Sequence, residues 1–511
     1  METVRRTSAP TDLTLIAGHY SLVMAIVSLG KALTNIAAAD PNRPAVTSDG
    51  VTTTRAELES LANRMARAFQ AMGVKQGDYV TIGLPNSAKF YAAAFAVWKL
   101  GAVPQPVSPR LPIRERQAIV ELANSPIVVG ADGEAHPGRP CLALDWMPDE
   151  SLSDAPLEDK IPPAWKAPTS GGSTGRPKLI VASDPGVLDD EGDPGQGVQR
   201  NGVMMVPGPM YHNAPFSYSS RGLANGNHVV TMSRFDAEKT MQGIQEHKAD
   251  WMLLVPTMML RMWRVADREA YDMSSLRVIW HMAAPCPMWL KEAWIEWLGG
   301  ERIFELYAGT EAQAVTVIRG DDWMAHKGSV GRCVIGEMKV LDENGNQVEP
   351  GTVGEIYMRP PAGRETYKYI GAEPKKSSDG WESLGDMGYM DADGYVYLSD
   401  RLSDMILSGG ANIYPAEIEA AMEEHPAISS SAAIGLPDED LGSKVHGLIY
   451  LAPGQTIDLD DLRTFLAERL VRYKIPRTFE IMSESLRDDA GKVRRSALRA
   501  ERVNADGTSK I

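Results

Sequence analysis

Two long stretches of this chain, residues 33–130 and 203–300, alternate helix-length and strand-length apolar patterns. That rhythm points to an α/β layer structure. Between Thr54 and Gly73, the residues Leu58, Leu61, Ala62, Met65, Ala68 and Phe69 recur at helical spacing. Tyr79–Leu84 then reads as a buried strand, Lys89–Leu100 as a helix and Ala102–Val107 as another strand. Residues 131–165 are rich in Asp, Glu and Pro and predict surface loops. From Gly328 to Tyr397 the pattern changes to short strand-sized runs with the turn pairs Asn344-Gly345 and Asp393-Gly394, which predicts a small β-structure. Beyond Leu402 the sequence is charged and mixed, with helices predicted at Pro415–Glu424 and Leu459–Arg472. A chain of 511 residues exceeds one hydrophobic core. The change of character near Asp400–Ser403 divides it into domains of residues 1–401 and 402–511.

The formal net charge is −15, and a polyanionic nucleic acid needs a basic footprint, so no nucleic-acid partner is expected. Three widely spaced cysteines, Cys141, Cys286 and Cys333, make neither a disulfide framework nor a zinc pattern, and fit a reducing cytoplasm. Near the N-terminus, Arg5-Arg6 precede a fairly apolar stretch, Leu13–Leu29. A signal peptide is conceivable there, but Asp12, His19, Tyr20 and Lys31 interrupt or bound it, and a surface helix packed on the body is the preferred reading. No other stretch has the apolar length of a membrane span.

Four segments carry candidate chemistry. The first is Thr169-Ser170-Gly171-Gly172-Ser173-Thr174-Gly175-Arg-Pro-Lys178, whose hydroxyls, close-approaching backbone amides and lysine suit phosphate oxygens. It is not a Walker loop, since Lys178 follows a proline and precedes Leu179; a plain surface loop is the alternative. The second, Tyr307-Ala308-Gly309-Thr310-Glu311, offers an aromatic ring, a hydroxyl and a carboxylate able to hold Mg²⁺. The third places Asp386 just after Gly385, where a carboxylate could bind ribose hydroxyls or merely cap a turn. The fourth runs from Asp400-Arg401 through Gly409-Gly410 to Pro415, and could equally be an interdomain linker. A lone lysine, Lys492, follows much later in Asp-Asp-Ala-Gly-Lys492.

In their order and spacing these segments resemble the adenylate-forming superfamily of acyl-CoA synthetases, luciferases and peptide-synthetase adenylation domains, over residues 33–503. The chain looks most like an acid–CoA ligase, with the ligases of bile acids and other bulky hydrophobic acids as the nearest flavour. The resemblance implies a large N-terminal domain of α/β layers plus a small β-barrel, and a small mobile α+β C-terminal domain. It implies ATP, Mg²⁺ and coenzyme A as cofactor and co-substrates. Thr169–Lys178 would wrap the ATP phosphates, and Ala283, Ala284 and Pro285 would lie along the adenine. Tyr307, Thr310 and Glu311 would take adenine stacking, phosphate contact and Mg²⁺, and Asp386 and Arg401 the ribose.

Lys492, His212 and Thr174 would be the catalytic residues, with Lys492 bridging the acyl carboxylate and the α-phosphate. His212, Asn213, Ala308 and Gln313 would border the acyl pocket; a satisfied structural role is the alternative for a lone histidine. Gly409 and Gly410 would line the pantetheine tunnel, and Tyr473 and Arg477 would meet the CoA nucleotide, unless the basic residues there are only a solvated face. Ser403, where Asp or Lys is more usual, would be the hinge about which the small domain turns. Leu179, Ala308 and Ile475 also depart from the family pattern, replacing a glycine, a glycine and a basic residue respectively.

The stretch after His212 contains no acidic residue to pair with an α-amino group, so amino acids are disfavoured as substrates. The soft, Met-rich run Trp251–Trp263 suggests a hydrophobic or aromatic monocarboxylic acid, although ordinary core packing also explains most of it. Rival readings are a stand-alone enzyme loading a carrier-protein phosphopantetheine, a luciferase-like oxidase and a non-catalytic nucleotide-binding protein. A homodimer is compatible with the sequence.

Overall fold

The computed structural model describes residues 26–171, 177–409, 411–488, 491–504 and 508–511. Among these, 14 strands form one continuous sheet. Six of them run parallel in the order Pro44–Ser48, His228–Thr231, Val203–Met205, Trp251–Leu254, Val278–Met282, Ile303–Tyr307. His228–Thr231, Trp251–Leu254 and Val278–Met282 are buried along their whole length. Helices cover both faces of such a sheet, which is why these strands read as largely apolar runs. The carboxyl ends of the parallel strands lead into Gly208–Asn213, Val255, Ala283–Pro285 and Ala308–Thr310, all of which border one cleft. Ligand sites of open parallel sheets lie at that edge.

The predicted helix after Thr54 spans Arg55–Ala71, closed by a capping box in which Thr54 Oγ1 accepts from the Glu57 amide and Glu57 accepts from the Thr54 amide. It packs with Ala88–Lys99 over a second sheet, of parallel strands Tyr79–Ile82, Val103–Pro106, Val128–Val129 and Cys141–Leu142. The short-strand region beyond Gly328 is antiparallel, with turns at both Asn344-Gly345 and Asp393-Gly394, and is hydrogen-bonded onto the edge of the large sheet through Val315–Arg319.

Two sequence expectations need correction. The helix expected to run to Leu29 does not: Ile26–Ser28 is a strand paired with Val187–Asp189, and the helix begins at Leu29, where Ser28 Oγ accepts from the Lys31 amide. Residues 1–25 lie outside the described residues. The helix expected over Leu459–Arg472 stops at Ala467, because the chain turns there to bury Leu470 and to lay Arg469 on the Phe465 ring, 3.5 Å from its centroid.

Strand pairing changes hands between Arg401 and Ile406. Tyr395–Arg401 still belongs to the large sheet, whereas Ile406–Ser408 pairs with Ala411–Ile413, and Ile428–Asp438, Gly442–Leu451 and Thr478–Met482 form a sheet of their own. Pro415–Glu423 and Leu459–Ala467 pack on that sheet around Ile418, Met422, Ile449, Leu462 and Leu466. All three cysteines are free. Among the described residues no helix is long and apolar enough to cross a membrane.

Candidate active site

Thr169–Gly171 and Pro177–Ala182 pair antiparallel, and Thr169, Pro177 and Lys178 border the cleft. Gly172, Ser173, Thr174 and Gly175, between them in sequence, lie outside the described residues. Thr169 Oγ1 accepts a hydrogen bond from Gln105 Nε2 at 2.7 Å, which fixes one base of the hairpin. At the other base, Lys178 Nζ lies 3.5 Å from Glu311 Oε1 and 3.8 Å from the centroid of the Tyr369 ring. Tyr369 Oη donates to the same Glu311 oxygen at 2.5 Å. Burial pulls the Lys178 ammonium below its ordinary range, and Glu311 pulls it part of the way back.

Glu311 is 5% exposed and borders the cleft beside Lys178. Among the described residues no cluster of three or more His, Cys, Asp or Glu side chains could cage a metal. A single buried, oriented carboxylate suits Mg²⁺, which keeps water and takes most of its other ligands from substrate phosphates. The loop before Glu311 is tight: a Cβ on Gly309 would fall 2.3 Å from Leu384 Cδ1 and 2.8 Å from Glu311 Oε2. Ala312, just after it, holds a left-handed φ of 54°. So does Ala283, with φ 76°, in the segment expected along the adenine. Non-glycine residues in that region are strained and collect at functional sites.

Tyr307 ends the last parallel strand, and its hydroxyl donates to Asp386 Oδ2 at 2.7 Å. Asp386 Oδ1 accepts from Arg401 Nε at 3.3 Å, the two residues being direct cross-strand partners. Burial raises the Tyr307 hydroxyl well above its ordinary range, and Asp386 adds to this, so it stays a donor. Tyr307, Asp386 and Arg401 are thus one connected unit.

His212 is the residue immediately before the helix Asn213–Ala224, and its ring packs 4.5 Å from Tyr211. Asn213 and Ala308 line the same cleft. Gln313, expected in the acyl pocket, does not: it is 1% exposed, and its amide donates to Glu382 Oε2 at 3.0 Å on the inner side of the sheet. Gln313 lies in the irregular segment between Ile303–Tyr307 and Val315–Arg319, where Glu382 offers its amide an acceptor away from the cleft.

Lys492 reaches the cleft from the small lobe. It senses Arg401, Asp488, Glu311 and Asp386, and burial, then Arg401, lowers its ammonium from the ordinary range. Its backbone is held in a turn: the Lys492 amide donates to Asp488 Oδ1 at 2.9 Å, and the Asp488 amide donates to the Lys492 carbonyl at 2.9 Å. Gly491 presses on the large lobe, and a Cβ there would lie 2.8 Å from Thr257 Oγ1. Ser403 also borders the cleft.

Gly409, Tyr473 and Arg477 are not brought into the cleft in this arrangement, and Gly410 lies outside the described residues. Tyr473 is on the outer face of the small lobe, in the 3₁₀ turn Arg472–Lys474, and the Arg477 amide is bound to Val445. Three cleft residues were not foreseen. Tyr369 stands far along the chain from its partner Glu311, and no local pattern pairs them. Lys166 and Arg221 sit in stretches that otherwise read as structural, and a charge inside an apolar pattern was the available signal.

The fold and this cleft define a two-domain enzyme of the adenylate-forming class. Residues 33–367 match the AMP-binding enzyme family, and residues 417–492 match the AMP-binding enzyme C-terminal domain; the chain belongs to that family. It is 30% identical to a fatty acid–acyl-carrier-protein ligase of Streptomyces coeruleorubidus, over 92% of this chain and 96% of that protein. It is 28% identical to a 2-succinylbenzoate–CoA ligase of Bacillus licheniformis, over 90% of this chain and 97% of that protein. Among solved structures it superposes on the o-succinylbenzoate coenzyme A synthetase of Bacillus subtilis in complex with ATP and magnesium ion, with a TM-score of 0.77 and 26% identity, covering 91% of this chain and 98% of that one.

Proposed function

We propose that this protein is an AMP-forming acid–CoA ligase. It would join a carboxylic acid to ATP as an acyl-adenylate, releasing pyrophosphate, and then pass the acyl group to the thiol of coenzyme A, releasing AMP. The observation that carries this reading is the convergence of Lys492 with Glu311, Asp386 and Arg401 from opposite lobes of one cleft.

The carboxylate of the acid is already ionised at neutral pH, so its attack on the α-phosphorus needs no general base. The obstacle is the approach of two anions. Lys492, delivered by the turn at Asp488, sits where it can neutralise both and stabilise the charge of the in-line transition state. Lys178 and the hairpin amides take the β- and γ-phosphates. Asp386, oriented by Tyr307 and Arg401, takes the ribose hydroxyls. Mg²⁺ held at Glu311 would supply the remaining charge on the phosphates. His212, at the start of its helix and on the cleft wall, would border the acyl carboxylate.

For the second step Lys492 must withdraw and the thiol must enter. A turn of the small lobe about Ser403 would do both, carrying Gly409, Tyr473 and Arg477 toward the CoA path. The body of the acid would pack on the aromatic and methionine side chains Trp165, Tyr218, Met258 and Met282, which line the cleft; this is the basis for an aromatic or otherwise hydrophobic acid. Every residue invoked comes from one chain, so the site is complete in a monomer or in each half of a homodimer. The free cysteines suit a cytoplasmic setting.

A carrier-protein phosphopantetheine is the second reading for the acceptor, favoured by the similarity to an acyl-carrier-protein ligase. The test is a panel of carboxylic acids assayed for AMP release with free CoA and with a phosphopantetheinylated carrier protein. Acid-dependent AMP release with CoA is the expected result. Release with carrier protein alone would move the acceptor assignment, and acid-independent behaviour throughout would overturn the ligase reading.

A further inference from the structure

Past the position expected for the reactive carboxylate, the cleft continues along the helix Asn213–Ala224. Asn213, Ser217 and Arg221 are spaced four residues apart, so they form one stripe down that helix, and all three line the cleft. Lys166 faces this stripe. It is 7% exposed, and its ammonium donates to Asn213 Oδ1 and, at 3.1 Å, to Ser217 Oγ. The same ammonium lies 4.2 Å from the Trp165 ring centroid, and the Arg221 guanidinium carbon lies 4.9 Å from that centroid. Two cations therefore share one indole on the wall of the cleft.

Among the described residues, neither Lys166 nor Arg221 makes an ion pair. Asp184 is the acidic group that acts most on both, and it is already paired with Arg364 at 3.0 Å. Arg221, unlike Lys166, is exposed, and its side chain borders the open space of the cleft. Holding Lys166 buried without an ion pair is costly. A tunnel for a purely apolar acyl chain would avoid that cost with an aliphatic side chain at position 166, and would have no use for a guanidinium open to it at position 221.

We propose that Arg221 forms a subsite for a second anionic group on the acid, with Lys166 adding positive charge between that subsite and Asn213, so that the substrate is a dicarboxylate-type molecule and not a simple monocarboxylate. The inference rests on the ligase reading of the cleft and narrows its substrate class. Asn213 and Arg221 are eight residues apart, about 12 Å of helix axis. The arginine leans toward the helix N-terminus, which brings the two anionic groups of the acid to a separation on the order of 10 Å. The body between them packs on Trp165. Burial, then Arg221, brings the Lys166 ammonium down to about 7, and a bound anion would draw a full proton back onto it.

The experiment compares matched acids: aryl-alkanoic monocarboxylates and straight-chain fatty acids against the same bodies bearing a distal carboxylate about 10 Å from the first. Acid-dependent ATP–pyrophosphate exchange is measured for the wild type, Arg221→Gln and Lys166→Gln, and binding of each acid is followed separately by calorimetry. The expected result is a wild-type preference for the dicarboxylate of at least about tenfold in kcat/KM, the worth of one charge-assisted hydrogen-bonded pair, collapsing toward unity in Arg221→Gln. If Lys166 is only a clamp on the helix start, both classes of acid lose activity alike in Lys166→Gln and the ratio is unmoved; with an unmoved ratio in Arg221→Gln as well, the subsite is overturned. Exchange with monocarboxylates and no dicarboxylate preference overturns the subsite and leaves the ligase standing. Arg221-dependent dicarboxylate binding without exchange does the reverse. Neither binding nor exchange with any acid overturns both.

Discussion

Arg495 donates to Asp404 Oδ2 at 2.8 Å, linking a residue three places beyond Lys492 to the residue immediately after Ser403. The same guanidinium reaches both oxygens of Glu419 at 2.8 Å. Glu419 also accepts from Arg487, which in turn pairs with Glu423 at 2.9 Å. The loop bearing Lys492, the helix Pro415–Glu423 and the segment next to the proposed hinge are therefore bound into one block. A rotation starting at Ser403 would be passed directly to the lysine.

Arg495→Ala tests that block. Burial raises the Glu419 carboxyl, while Arg495 and then Arg487 hold it down. Removing Arg495 leaves a buried carboxylate short of one partner, which costs about 3 kcal/mol, at the lower end of the range for breaking a buried pair because Arg487 remains. Thermal denaturation should show a destabilised small lobe, with adenylation reduced and the Kd for ATP little changed. A variant as stable and as active as the wild type would remove Arg495 from this role.

Lys492→Ala should lower acid-dependent ATP–pyrophosphate exchange by about a hundredfold to a thousandfold, the usual cost of losing one preorganised group at a developing charge. Binding of ATP, held by the hairpin, Asp386 and Tyr307, should survive in a direct titration. Unchanged exchange would take Lys492 out of the first half-reaction.

Much of this site could be read from the chain because its signatures are local. Tyr307, Thr310 and Glu311 sit on one turn, and Asp386 and Arg401 face each other across two adjacent strands. What escaped was set by tertiary packing. Tyr369 meets Glu311 only because its strand, Tyr367–Ile370, pairs with the far arm of the phosphate hairpin. Gln313 turned inward because Glu382, on another strand, offers it an acceptor. Lys166 and Arg221 lie 55 positions apart in sequence and share Trp165 only in the folded molecule.

Lys166 gives a pH signature with a definite sign. Its pKa is about 7 when folded, against 10.5 for the free side chain. Burial is the main cause and Arg221 the next; Asp184 and Glu311 oppose them, and Asn213 and Ser217 accept its hydrogen bonds. Above about 7 the unfolded chain binds the extra proton, so stability should rise with pH from there toward 10.5. The limiting slope for this one group is about 1.4 kcal/mol per pH unit. Lys166→Met should lose this contribution, which denaturant titrations across the alkaline range would reveal as a flatter curve than that of the wild type. Parallel curves would place the ammonium in a wetter setting.

Ser403→Pro separates the half-reactions. Proline fixes φ and removes a backbone donor, so a backbone that must rotate at this point is locked. Exchange of pyrophosphate should persist while thioester formation from a supplied acyl-adenylate falls. Equal loss of both steps would discredit Ser403 as the hinge.

Gly491→Ala examines the opposite end of the same motion. Gly491 has a φ of 76°, and a methyl there would meet Thr257 Oγ1 at 2.8 Å and Cγ2 at 3.3 Å, on the large lobe. Backbone strain and collision both act against the closed arrangement, but they respond differently to a second change. Thr257→Ala removes both colliding atoms and leaves only Cβ, 3.7 Å away, while doing nothing for the strain. If collision across the lobes dominates, Gly491→Ala should lose pyrophosphate exchange and the Thr257→Ala double variant should recover most of it. The thioester step, which requires the lobes to part, should be much less affected in either variant. Failure of the second change to restore exchange would assign the loss to the strained turn that presents Lys492, not to contact between the lobes.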